Sequence, residues 1–151
     1  MTNNYFEFEQ DFVESLRCIP MIVRYKLDTS GVKLKLSHWH QFDRSMRQEL
    51  ADKPCTQPQE IQTYRAWLHQ LVIDRTGTAA KDLPVEVDPA WMDETKIPET
   101  VQDKAKEVDV EITLEKWQNL TPLQRFVLIK LSRPSHENQN FLPAIKEFNL
   151  L

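Results

Sequence analysis

The chain has 151 residues, of which 40% are hydrophobic and 28% charged, an ordinary composition for a protein that buries one core. Its formal net charge of −4 argues against the basic surface that nucleic-acid binding requires. Only two glycines are present, which excludes glycine-rich phosphate-binding loops and favours helices over turn-rich β folds.

The sequence also indicates the cellular location of the protein and the number of its domains. The acidic first twenty residues predict no signal peptide, and no apolar stretch approaches the length of a membrane span. Cys18 and Cys55, in a chain able to build its own core, suggest reduced thiols and therefore a cytoplasmic protein. We expect a single domain over residues 1–151.

The first predicted element is an N-terminal helix, whose apolar residues recur at helical spacing: Phe8, Phe12, Leu16 and Ile19. A helix over about 20–29 follows and ends at Gly31. Strict alternation over 32–36 then predicts a half-buried strand. A tryptophan helix and a second helix, beginning at Asp43, come next.

A closing helix over about 58–76 completes this half of the chain. It is predicted to begin near Thr56, with Gln59 three residues on, and to stop at Gly77. Its apolar face contains Ile61, Tyr64, Leu68 and Leu71. Residues 78–96 are then expected to form a proline-bearing connector.

The second half has the same order of elements. A helix over about 98–107 precedes an alternating segment, 108–112, and a tryptophan helix. The next helix is predicted to begin at Thr121 and Pro122, and a closing helix covers about 139–149. The apolar face of that closing helix contains Phe141, Ile145 and Phe148.

The two halves match at an offset of 78 residues, which places 19–50 over 97–128 without a gap. Nine positions are then identical, where ordinary residue frequencies give roughly two by chance. We interpret this as a tandem duplication. The fold class predicted is mainly α, with two tandem pseudo-symmetric helical units.

The alternating segments differ in charge, since 32–36 carries Lys33 and Lys35 while 108–112 carries Asp109 and Glu111. Opposite charges across an antiparallel pair stabilise it by about 0.2–1 kcal/mol. We therefore expect a short two-stranded ribbon of 32–36 with 108–112 between the halves. Basic residues outnumber acidic ones eight to four in 17–53, whereas acidic residues outnumber basic ones eleven to three in 82–115.

No catalytic or metal site is predicted. His38 and His40, with Cys55 or His69, lack the paired spacing of zinc ligands. Cys18 lies among basic residues, but its apolar neighbours favour a buried structural thiol. No serine lies in a nucleophile elbow and no carboxylate pair is singled out, so we expect neither enzyme activity nor a bound cofactor.

Residues repeated in both halves, such as Trp39 with Trp117 and Arg47 with Arg125, are assigned to the scaffold. Polar residues outside the repeat, together with the basic strand, are the candidates for binding a partner: Arg17, Cys18, Arg24, Lys33, Lys35, Arg133, His136, Glu137, Asn138 and Asn140. The segment that precedes the last helix is equally compatible with a simple helix-linking loop.

Two groups of segments resemble the cyanobacterial nitrate reductase-associated protein family. One group contains Phe6-Glu7-Phe8-Glu9, Asp11-Phe12-Val13 and Ser15-Leu16-Arg17-Cys18-Ile19-Pro20-Met21, and the other contains Leu123-Gln124-Arg125-Phe126, Leu131-Ser132-Arg133-Pro134 and His136-Glu137-Asn138. The resemblance implies an accessory or maturation role for assimilatory nitrate reductase. It assigns no catalytic residues.

The leading hypothesis is thus a non-enzymatic factor that binds nitrate reductase and supports its activity or molybdenum-cofactor loading. One alternative is a carrier that binds the molybdenum cofactor or its precursor directly through Arg17, Arg24 and Arg133. A helix-turn-helix regulator that binds DNA is a distant third, because the apolar second helix of the second half does not suit a DNA groove. The oligomeric state is not predicted.

Overall fold

The computed structural model describes residues 5–10, 18–133 and 138–151, and the chain within these ranges is mainly helical, as predicted. It groups into two compact units, Met1–Val85 and Glu86–Leu151. The single domain over 1–151 stays a prediction. Residues 11–17, which make up most of the predicted N-terminal helix, lie outside the described residues. Shortly before them, Glu7–Glu9 form a short 3₁₀ helix.

The first unit is arranged around one long helix. Its described elements are α1 (Met21–Ser30), β1 (Val32–Lys33), α2 (Leu36–Gln41), α3 (Arg44–Asp52), α4 (Pro58–Thr76) and β2 (Lys81–Asp82). Both α1 and α2 pack against α4, and their contacts bury Trp39, Tyr64 and Leu68 completely. This burial confirms the apolar face predicted for the closing helix.

The helix ends of this unit follow local signals in the sequence. Asp43 caps α3, since its carboxylate accepts a hydrogen bond of 2.9 Å from the Met46 backbone N–H. Gly31 and Gly77 end α1 and α4 with φ angles of 76° and 77°, in the left-handed region that glycine adopts most easily. These three predicted boundaries are confirmed.

Helix α4 has the predicted range, Pro58–Thr76, but its N-cap lies one residue later than the predicted Thr56. The Glu60 carboxylate accepts hydrogen bonds from the backbone N–H groups of Gln57, at 2.8 Å, and Thr56, at 3.1 Å. The capping pair is therefore Gln57 with Glu60 rather than Thr56 with Gln59. A carboxylate is the stronger acceptor for unpaired N–H groups at a helix start, which explains the shift.

The second unit surrounds a buried helix. Its described elements are a 3₁₀ helix (Ala90–Met92), α5 (Glu99–Glu107), α6 (Leu114–Gln118), α7 (Pro122–Ser132), a 3₁₀ helix (Asn138–Asn140) and α8 (Phe141–Glu147). Helix α7 packs against α5, α8 and the first 3₁₀ helix, and none of its residues is exposed. Thr121 caps it by accepting from the Gln124 N–H, as predicted.

The predicted pairing of 32–36 with 108–112 is wrong. Strand β1 instead pairs antiparallel with β2, with Val32 opposite Asp82 and Lys33 opposite Lys81. The 108–112 segment turns back onto the end of α5, because Asp109 has a φ of 57° and the Val110 N–H donates to the Ala105 carbonyl. The apolar residues of the alternating pattern, Val110 and Ile112, are buried, but the segment does not pair with a strand.

The helix starts repeat at the offset seen in the sequence. Helices α1, α2 and α3 begin at Met21, Leu36 and Arg44, and α5, α6 and α7 begin 78 residues later in each case. The left-handed residues Gly31 and Asp109 also match at this offset. The order of elements thus agrees with the repeat, while the duplication itself stays an interpretation.

Candidate functional site

The ten residues predicted to bind a partner are divided between the two units. The first unit contains Cys18, Arg24, Lys33 and Lys35, the second contains Arg133, Asn138 and Asn140, and Arg17, His136 and Glu137 lie outside the described residues. Among the described residues, only part of the first group occupies one local surface.

Two members of the first group are only half exposed. Arg24 lies on α1, where its Nη1 is 3.9 Å from the Met21 sulfur, and Cys18 is half-buried ahead of the same helix. In the second unit, Arg133 is exposed directly after α7, and Asn140 precedes α8 without a side-chain capping bond. Each of these residues thus lies at or near a helix end.

Lys33 and Lys35 are both exposed, on β1 and directly before α2. The Lys35 backbone N–H donates to Nδ1 of His38 at 3.2 Å, which fixes the ring at the start of α2. Burial, and then the nearby Lys35 ammonium, lower the pKa of His38 below its usual range. His38 is therefore neutral at pH 7, and the positive charge here comes from the lysines.

Sequence reasoning missed Lys81, which the strand pairing places directly across from Lys33. Lys81 is exposed and follows α4 after a short turn, so its position opposite β1 depends on tertiary contacts. An exposed lysine in a proposed connector carries no signal of such pairing. The strand pair thus places Lys33 and Lys81 side by side, and Lys35 follows Lys33 by two residues. We call these three exposed lysines the lysine cluster.

Arg65 fixes the strand pair from α4. Its Nη1 donates to the carbonyls of Ser30 and Gly31, each at 2.9 Å, and its Nη2 contacts Asp82 Oδ1 at 2.5 Å. His69, one turn further along α4, lies 3.4 Å from the same carboxylate oxygen. Asp82 is thus engaged by α4, although it adjoins Lys81 in sequence.

The repeated arginines have a structural role in both units. Arg47 donates to the carbonyls of Trp39 and His40 at the end of α2. Arg125 donates to the Leu120 and Trp91 carbonyls, each at 2.9 Å. Carbonyls at a helix end lack intrahelical donors, and a guanidinium supplies them. These contacts agree with the assignment of both arginines to the scaffold.

A buried polar cluster closes the end of α3. The Lys26 Nζ donates to the carbonyls of Ala51 and Lys53, at 2.5 and 2.7 Å, and the Tyr64 hydroxyl donates to that of Leu50 at 2.8 Å. Burial lowers the pKa of Lys26. Burial also raises the pKa of the neighbouring Cys55 thiol to about 11, so that Cys55 is not a nucleophile at neutral pH.

In the second unit, contacts of two tryptophan side chains fix the segment that contains Asp93. Trp117 Nε1 donates to the Asp93 carbonyl at 2.9 Å, and the Trp91 ring packs edge-on against Phe126 with centroids 5.1 Å apart. Hydrogen bonds from the Thr95 side chain and backbone lower the pKa of the exposed Asp93 carboxyl. Negative charge is therefore displayed on a fixed segment.

No group of three potential metal ligands occurs in the described residues, where His38, His40, Cys55 and His69 are included. An open concavity along α3 is lined by side chains of both charges: Arg44, Ser45, Gln48, Glu49, Asp52 and Lys53. It is open to solvent, whereas a cofactor pocket typically encloses most of its ligand.

The chain is similar to one family of known proteins. Within the described ranges, no helix has the length and apolar character needed to cross a membrane. Searches of curated proteins and of solved structures gave no match. A family model described as the conserved nitrate reductase-associated protein matches residues 5–148, nearly the whole chain. The chain therefore belongs to the conserved nitrate reductase-associated protein family.

Proposed function

We propose that this chain is a non-enzymatic accessory factor that binds assimilatory nitrate reductase in the cytoplasm of a cyanobacterium. It would support the activity of the reductase or the loading of its molybdenum cofactor. The observation that carries this proposal is the match of residues 5–148 to a family whose description names nitrate reductase.

The chemistry of the described side chains supports binding over catalysis. The buried thiol of Cys55 is held protonated, and the buried Lys26 donates to helix-end carbonyls. Arg125 likewise donates to backbone carbonyls within its unit. The exposed charged side chains include lysines, arginines and carboxylates, and such charges act on association with a partner.

The proposal is tested by titrating the chain into the apo and mature reductase in a calorimeter, at about 50 and about 300 mM salt. We expect binding that weakens at the higher salt concentration, because screening reduces attraction between surface charges. An unrelated acidic protein of similar size is the control. No heat of binding with either form of the reductase would refute the proposal.

A second measurement separates this role from that of a carrier for the molybdenum cofactor. The cofactor precursor alone is added to the chain, and the melting temperature is recorded. An accessory factor that acts on the reductase shows no shift, whereas a carrier is stabilised by its ligand and melts at a higher temperature. A shift lost in Arg24→Ala or Arg133→Ala would favour the carrier.

A further inference from the structure

The lysine cluster contains an arrangement that works against the stability of the fold. Lys33 and Lys81 are directly opposite in the β1 and β2 pair, which extends over two residues in each strand. Residues opposite each other in an antiparallel pair have Cβ atoms about 4.5–5.5 Å apart, and like charges at such positions are destabilising. The short ribbon is thus held together despite this repulsion.

Nothing in the described part of the chain neutralises these charges. None of Lys33, Lys35 and Lys81 forms an ion pair with a described carboxylate. The adjacent Asp82 is engaged by Arg65 and lies 3.4 Å from His69. The cluster therefore presents three exposed lysines on the first unit, two of them directly paired.

We propose that the lysine cluster is the contact surface for a carboxylate-rich face of a partner protein. The partner's carboxylates would lie over the Lys33 and Lys81 ammonium groups and remove the repulsion between them. In naming nitrate reductase as that partner, this inference rests on the proposed function. A nucleic acid is the less favoured polyanion, because the whole chain carries a net charge of −4.

The decisive variant is Lys81→Glu, because it should stabilise the strand pair while weakening the contact with the partner. Replacing the like charge with an opposite one stabilises the strand pair, so the melting temperature rises by about 1–4 °C. The same change places a carboxylate against the partner's carboxylates, so affinity for the reductase falls at least about tenfold. Lys106→Glu, at an exposed lysine on α5, is the matched control and should leave affinity unchanged.

Lys81→Met removes the charge and keeps the apolar stem, so it should also raise the melting temperature and weaken binding by less than Lys81→Glu. Affinity unchanged in Lys81→Glu, while the unaltered chain binds, would overturn this inference and leave the proposed function standing. Lost affinity with a lowered melting temperature would also overturn it, because Lys81 would then be structural. No binding by the unaltered chain would overturn both.

A final experiment tests whether the lysine cluster binds a nucleic acid instead of a protein. A labelled single-stranded oligonucleotide is titrated with the chain at low salt, where phosphate contacts are strongest. We expect no binding. Oligonucleotide binding that is lost in Lys81→Glu would overturn the proposal of a protein partner.

Discussion

Trp39 and Trp117 lie at matching positions in the two halves of the chain, and both are completely buried. They differ in one hydrogen bond. The Trp117 indole N–H donates to the Asp93 carbonyl at 2.9 Å, whereas the buried Trp39 Nε1 has no acceptor among the described residues. An unpaired buried donor is destabilising by about 1–3 kcal/mol, so the indole N–H of Trp39 works against folding.

The two tryptophans therefore predict unequal effects of the same substitution. Replacing either with phenylalanine removes similar buried volume, but Trp117→Phe also loses a hydrogen bond and Trp39→Phe removes an unpaired donor. We expect Trp117→Phe to lower the free energy of unfolding by about 1–3 kcal/mol more than Trp39→Phe does. Urea unfolding followed by circular dichroism measures both, and equal losses would contradict the prediction.

At the scale of elements, local signals predicted where helices begin and end. Asp43 and Thr121 cap α3 and α7 because a side-chain oxygen reaches an N–H three residues on, a contact that needs no other part of the chain. The shift at α4 has the same local origin, since Glu60 is a better acceptor than Gln59. Alternation over 108–112 predicted which side chains are buried, but the segment forms no strand.

The two glycines allow a matched test of backbone strain against packing. Both have φ near 76°, but a Cβ at Gly77 meets nothing within 4 Å, whereas one at Gly31 lies 2.7 Å from Val85 Cγ2 and 2.9 Å from the Leu83 carbonyl oxygen. Gly77→Ala should therefore cost about 1–2 kcal/mol of stability from left-handed strain alone.

Gly31→Ala should cost about 1–3 kcal/mol more than Gly77→Ala, because the backbone at Leu83 must also move. Thermal unfolding of both variants measures the difference. The Leu83 amide, which donates to the Gly31 carbonyl at 2.8 Å, should exchange faster with solvent in Gly31→Ala only. Equal costs for the two alanines would show that the contacts with Val85 and Leu83 do not constrain this turn.

At the scale of the molecule, the chain forms two compact units, and each contains its own buried tryptophan and one helix, α4 or α7, against which its other helices pack. The sequence predicted one domain because 151 residues are within the usual size of a single cooperative unit. A single domain requires the two units to unfold together.

Calorimetry tests the single-domain prediction. We expect one transition whose calorimetric enthalpy equals its van't Hoff enthalpy, the signature of all-or-none unfolding. Gly31→Ala, in the first unit, should then also speed hydrogen exchange in α7 of the second unit. Two resolved transitions, or faster exchange confined to the first unit, would contradict the prediction.

The sequence by itself determined the mainly α class, most helix boundaries and the apolar faces of the closing helices, because capping and amphipathic spacing act over a few residues. It also identified two of the three members of the lysine cluster. Only the tertiary structure decided that Lys81 lies across from Lys33, because that pairing depends on Arg65, which joins the end of α1 to β2 from a third element. A contact of this kind joins residues distant in sequence, and neither strand is long enough to select its partner alone.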